Sequence, residues 1–116
     1  MKILVVDDDK NIIHFYKEEL QDEGYEVIIA GTGKKALERF EKENPDIVTL
    51  DVLMPDIDGI SLLRKMKEQR PKIPIIMSTA YDYRDDFAVW ASEAYIVKSS
   101  DLTELKGIIK KFAEGR

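Results

Sequence analysis

The sequence predicts an α/β domain built on a parallel sheet, and three observations carry that prediction. Along 116 residues, short apolar runs alternate with segments whose apolar residues recur at helical spacing, and no repeat, linker or low-complexity stretch interrupts them. Two of the runs, Ile3-Leu4-Val5-Val6 and Ile47-Val48-Thr49-Leu50, lead straight into aspartates, Asp7-Asp8-Asp9 and Asp51. Ligands bind at the carboxyl ends of the strands in an open parallel sheet, so two acidic strand ends describe one shared acidic site. Ile75-Ile76-Met77 runs in the same way into Ser78-Thr79, and Tyr95-Ile96-Val97 into Lys98, which adds a hydroxyl and an ammonium.

The elements follow in order. After the first strand, a helix is expected over about 10–23, with Ile12, Ile13, Tyr16 and Leu20 on one face and Gly24 as the residue past its end. Asp9 caps this helix and is no metal ligand. The strand Glu26-Val27-Ile28-Ile29-Ala30 comes next. A second helix, 33–43, buries Ala36, Leu37 and Phe40 and stops before Asn44-Pro45, because the residue preceding proline avoids the α region. The third strand covers 46–51. Asp58-Gly59 opens a third helix that presents Ile60, Leu62, Leu63 and Met66, and Pro71 and Pro74 bracket the turn into the fourth strand. Eighteen residues separate Thr79 from Lys98, and 82–86 is polar and poorly periodic, so the fourth helix is expected to be short, with Phe87 and Trp90 filling core space. A last helix begins near Asp101, which caps it with Glu104 as box partner. The count is five strands and five helices.

Composition narrows the function. The length suits one domain with a single core. A formal charge of −5 disfavours direct nucleic-acid binding, which draws its affinity from Lys and Arg on phosphates. The chain has no cysteine, which removes disulfides and thiolate metal sites. The Asp triplet cuts off the first apolar run too soon for a signal peptide, and no run reaches transmembrane length. A cytoplasmic domain without a membrane partner or an effector segment is the expectation.

Carboxylates ~4 Å apart repel by a few kcal/mol at an effective dielectric of ~20, and a divalent cation removes that cost. An all-oxygen donor set selects a hard ion. Asp56 and Asp58 also look metal-like, but a calcium loop with Gly59 at its sixth position needs an acid or amide at Met54 and glutamate at Lys65. They are turn and cap residues. His14 lies far round the first helix from the buried face and is solvated.

The order Leu4-Val5-Val6-Asp7-Asp8, Leu50-Asp51-Val52-Leu53-Met54-Pro55-Asp56-Ile57-Asp58-Gly59, Ser78-Thr79-Ala80 and Tyr95-Ile96-Val97-Lys98 resembles the receiver (CheY-like) domain of bacterial two-component response regulators, over the whole chain. The resemblance implies a doubly wound, flavodoxin-like sheet of five parallel strands in order 2-1-3-4-5. It implies that Asp51 takes a phosphoryl group from a phosphohistidine on a sensor histidine kinase or a histidine phosphotransfer protein. Mg²⁺ is then held by Asp8, Asp51 and the Leu53 backbone carbonyl, and by Asp7 through a water. Lys98, the Thr79 hydroxyl and the Ala80 backbone amide bind the phosphoryl group, Thr79 and Tyr95 form the switch, and Ile12 and Phe15 on the first helix dock the kinase. The output is an unknown downstream protein.

The chain departs from the family where Lys98-Ser99 replaces the usual Lys-Pro with its cis bond. A cis bond before serine costs ~3 kcal/mol, which leaves the geometry of the fifth strand's exit open while Lys98 keeps its role. Other function classes remain to be separated from this one. A haloacid-dehalogenase-like phosphatase also forms an aspartyl phosphate, and Asp7 with Asp9 mimics its Asp-x-Asp pair. A receiver that never accepts phosphate acts as an interaction module. A flavin-binding relative requires a glycine- or hydroxyl-rich loop after the first strand, which is missing.

Overall fold

The computed structural model describes residues 1–51, 56–57, 59–79, 94–97 and 102–115, with the backbone alone at 79 and 94–97. The elements run β1 (Lys2–Val6), α1 (Lys10–Asp22), β2 (Glu26–Ala30), α2 (Gly33–Glu43), β3 (Ile47–Leu50), α3 (Gly59–Gln69), β4 (Ile75–Thr79), β5 (Ala94–Val97) and α4 (Thr103–Glu114). All strand pairs are parallel, in the order β2-β1-β3-β4-β5. The expected topology is therefore present. The short helix expected between β4 and β5, with Phe87 and Trp90, and the Lys98-Ser99 bond lie outside the described residues.

Successive strand residues point to opposite sheet faces, and here both faces are covered. On one, Leu4, Val6, Val48, Leu50, Ile75 and Met77 meet Ala36 and Phe40 of α2 and Leu62, Leu63 and Met66 of α3. On the other, Ile3, Val5, Ile47 and Ile76 meet Tyr16 and Leu20 of α1 and Leu105 and Ile109 of α4. Tyr16 carries a polar group into this second layer. Its hydroxyl lies 2.8 Å from Ser78 Oγ on β4, so each buried oxygen has a partner.

Side chains close the helix ends. Asp9 accepts from the Asn11 amide at 2.9 Å and the Ile12 amide at 3.4 Å, capping α1 as its sequence position suggested. Gly24, at φ 91°, takes the left-handed turn after α1 that a side chain would resist. Asn44 ends α2 in the left-handed region, φ 50° and ψ 61°. Proline at 45 disfavours the right-handed α region before it, and asparagine tolerates the mirror region at low cost. Asp46, expected inside β3, falls just before it, and its carboxylate accepts from the Lys2 amide at 2.7 Å.

At the start of α4 the N-cap is Leu102, whose side chain makes no capping bond, while the Asp101 cap expected with Glu104 as its box partner falls on a residue outside the described ones. Leu102 is buried in the second core layer, and its packing helps to fix the entry of the helix. Glu104, in the first turn, still suits the positive end of the helix dipole.

Removing one oxygen from the buried hydroxyl pair leaves the other without its partner, a loss of ~1–2 kcal/mol. Tyr16→Phe should therefore lower the urea midpoint by that equivalent with an unchanged denaturant slope; a midpoint within error of the parent contradicts a stabilising role for the pair.

Candidate functional site

The β1–β3 ladder builds the site. Its last registered pair is Val6 with Leu50, so the next residues on each strand are Asp7 and Asp51. The Asp51 amide donates to the Val6 carbonyl at 3.0 Å and the Asp7 amide to the Ala30 carbonyl at 3.1 Å, which ties both aspartates to the ends of neighbouring strands. Asp8 follows on the exposed side. Carboxylate oxygens of Asp7, Asp8 and Asp51 all lie within 4.8 Å of one another. Asp7 is 3 % exposed and Asp51 5 %. The Asp9 amide donates to Asp7 Oδ1 at 2.9 Å, which fixes the Asp7 side chain.

Order along the sheet reverses direction at β1 and β3, and the carboxyl ends beside such a switch point form the natural crevice for a ligand. Each pair of clustered carboxylates repels by a few kcal/mol at an effective dielectric of ~20, with the exposed Asp8 the best screened. Among the described residues the donors that converge there are carboxylate oxygens, the donor set of a hard divalent cation.

The other sequence-derived positions divide clearly. Asp9 stands apart from the cluster, committed to its cap. His14 is exposed. Ile12 and Phe15 are half-buried against the second core layer, and the Phe15 ring meets Tyr16 edge-on at 6.3 Å. The β4–β5 register pairs Thr79 with Val97 and Met77 with Tyr95, bringing these strand ends to the same end of the sheet as the aspartates. Leu53, Ala80 and Lys98 lie outside the described residues, as do the side chains of Thr79 and Tyr95.

Sequence reasoning saw a turn residue in Asp56 and missed its reach. Its carboxylate accepts from the Gly33 amide at 2.9 Å and the Lys34 amide at 3.1 Å, closing the first turn of α2 from a distant loop. Thr32 Oγ1 accepts from Lys35 at 3.1 Å, so the next amide is satisfied locally. A side chain at 33 has no room: a Cβ there falls 1.7 Å from Ile57 Cγ2. No local pattern announces a cap supplied by a residue 23 positions away. The pairing of Tyr16 with Ser78 was hidden for the same reason, although two polar groups on apolar faces require partners.

Hydrogen bonds from the Gly33 and Lys34 amides hold the Asp56 carboxyl below the usual carboxylate range. A lowered folded-state pKa means that this contribution to stability is complete above the ordinary value near ~3.9 and is lost as pH falls through the lowered one. Asp56→Asn should thus lower the melting temperature at neutral pH by a margin that shrinks below about pH 4, read by thermal unfolding of both proteins across the acid range.

The response regulator receiver domain model matches residues 3–110. Among curated proteins, the alkaline phosphatase synthesis transcriptional regulatory protein PhoP of Bacillus subtilis is 42 % identical over 85 residues, covering 73 % of this chain and 35 % of that protein. Sporulation initiation phosphotransferase F of Bacillus subtilis is 35 % identical over 114 residues, covering 96 % of this chain and 92 % of that protein. The chain thus spans about a third of the former and nearly all of the latter. Response regulator TrrA of Thermotoga maritima, solved with Mg²⁺-BeF, is 45 % identical with a TM-score of 0.92, covering 96 % of this chain and 97 % of that one. TrrA is also solved in complex with histidine kinase ThkA, where the TM-score is 0.90 over the same shares of the two chains.

Proposed function

This chain belongs to the response regulator receiver family, and on that premise we propose that it accepts a phosphoryl group on Asp51 from the phosphohistidine of a sensor histidine kinase or a histidine phosphotransfer protein. The observation that carries this reading is the gathering of Asp7, Asp8 and Asp51 within 4.8 Å at the carboxyl ends of β1 and β3. An Asp51 carboxylate oxygen attacks phosphorus in line while the P–N bond to the histidine breaks. The bonding pair returns to the imidazole nitrogen, which takes up a proton. The donor is high in energy, so the acceptor has to supply position and charge neutralisation.

Asp8, Asp51 and the Leu53 carbonyl would hold Mg²⁺ directly and Asp7 through a water. When bound, the ion offsets charge on the acceptor and on the phosphoryl oxygens. The Thr79 hydroxyl, the Ala80 amide and the Lys98 ammonium take the phosphoryl oxygens, and a Thr79 shift with rotation of Tyr95 transmits the event to a downstream protein in the cytoplasm. TrrA with Mg²⁺-BeF and TrrA bound to ThkA support the assignment by analogy. On this reading the chain acts as one receiver domain over 1–116, modifying only its own Asp51. The capping role of Asp9 weighs against a phosphatase in which Asp7 is the acceptor, since the second carboxylate of the Asp-x-Asp pair is committed elsewhere.

Asp51→Asn should abolish labelling by a phosphohistidine donor; label retained there and lost in Asp7→Asn favours the phosphatase. Millimolar Mg²⁺ should raise the melting temperature of the parent. Asp8→Asn should be more stable than the parent without metal and lose most of the Mg²⁺ gain, because one repelling charge and one ligand leave together.

Ile12 and Phe15 sit half-buried on α1, a helix that starts beside the acidic site. Aromatic anchors of this kind dominate interfaces. Phe15→Ala should weaken kinase binding by about 1 kcal/mol or more and leave labelling by small phosphodonors unchanged; equal losses in the two assays make Phe15 a core residue only.

A further inference from the structure

We propose that Asp9 is a positioning residue for the acidic site: its carboxylate, by capping α1, locks the peptide N–H that orients Asp7. The inference rests on the metal-binding reading of Asp7, Asp8 and Asp51 and gives a task to the aspartate of the triplet that stands outside that cluster.

Asp9 is held at three points. Its amide donates to Asp7 Oδ1 at 2.9 Å. Its own Oδ1 accepts from the Asn11 amide at 2.9 Å and the Ile12 amide at 3.4 Å. Its carbonyl accepts from the Ile13 amide at 3.0 Å. Two turns of one kind are therefore strung end to end, with a carboxylate closing on the amide two residues further on at Asp7 and again at Asp9. Asp8 is the middle residue of the first turn, so the backbone that carries it is bracketed as well.

The second turn secures the first. Asp7 is tied to the sheet through its amide, which donates to the Ala30 carbonyl at 3.1 Å, but its carboxylate is aimed from the other side by the Asp9 amide. Hydrogen bonds from outside the ligand set orient the carboxylates around a metal, and losing one weakens the metal's hold. That amide keeps its direction only while the peptide joining Asp8 to Asp9 keeps its plane. The Asp9 side chain and carbonyl pin the far side of this peptide to α1, which is anchored in turn by buried Ile13, Tyr16 and Leu20. An uncapped helix start leaves its first amides to water, and the residue before it is then free to turn. Asp9 is exposed, so its influence on a bound ion passes through Asp7.

Asp9→Asn and Asp9→Ala remove the same charge, so a difference between them reports the cap and not the local potential. Asparagine keeps a side-chain oxygen for the Asn11 amide, whereas alanine has none. Titration calorimetry with Mg²⁺ alone should show binding about threefold or more weaker in Asp9→Ala than in Asp9→Asn. Ile47→Val, at the amino end of β3 and fully buried, serves as the control for general destabilisation. It should melt below the parent and bind Mg²⁺ with parental affinity. Asp9→Gly takes the place of the alanine variant if that fails to fold, since glycine is tolerated at helix starts, and should show the same loss. Equal affinity in Asp9→Asn and the folded alanine or glycine variant, or an equal loss in Ile47→Val, overturns the positioning role and leaves the metal site standing. Absence of Mg²⁺ binding by the parent protein overturns both.

Discussion

The register of β1 on β3 governs the molecule. Val6 opposite Leu50 brings Asp7 and Asp51 to neighbouring strand ends and buries both, at a Coulombic cost. Backbone bonds from Asp51 to Val6 and from Asp7 to Ala30 hold this arrangement, so the sheet absorbs the repulsion. A slip by one residue would turn every apolar side chain of β1 to the wrong layer, and the packing of Leu4 and Val6 against one helix pair and of Ile3 and Val5 against the other forbids it. The hydrophobic layers thereby enforce an acidic geometry that charge alone would disperse.

The two layers are not equivalent. The α2–α3 layer is wholly apolar among the described buried residues, whereas the α1–α4 layer holds the Tyr16–Ser78 pair. That pair joins α1 to the strand ending in Thr79, one residue beyond Ser78. A hydroxyl pair is directional where apolar contacts are not, so it fixes the depth and rotation of α1 on the sheet as well as its distance. Phe15 and Ile12 are displayed from a helix with a defined setting.

Most of the architecture was legible because the signals were local. Consecutive buried residues with acids at their ends marked β1 and β3; Asp9, Gly24 and the Asn44-Pro45 step marked the helix limits within a residue or so. The acidic cluster was legible because parallel strand ends converge, a rule that needs topology and not coordinates. What escaped notice was tertiary. Leu102 takes the N-cap position of α4 while being buried, and burial at a loop–helix junction leaves little trace in a sequence. Asp56 reads as a turn residue since its partners, Gly33 and Lys34, are set by the fold.

The bond from the Lys2 amide to Asp46 spans 44 residues of chain, and the β1–β3 ladder beside it is equally long-range. Helices of this length form locally in about a microsecond, while such a ladder must first close a loop containing α1, β2 and α2. Partly folded chains can therefore hold helices and even the β1–β2 pair without owning an acidic pocket at all. Because its three aspartates come from two strands that meet only when that loop closes, the pocket exists only once the sheet is assembled. A copy that has not completed its sheet therefore lacks the gathered carboxylates, and the pairing that builds the cluster makes it a mark of the finished fold.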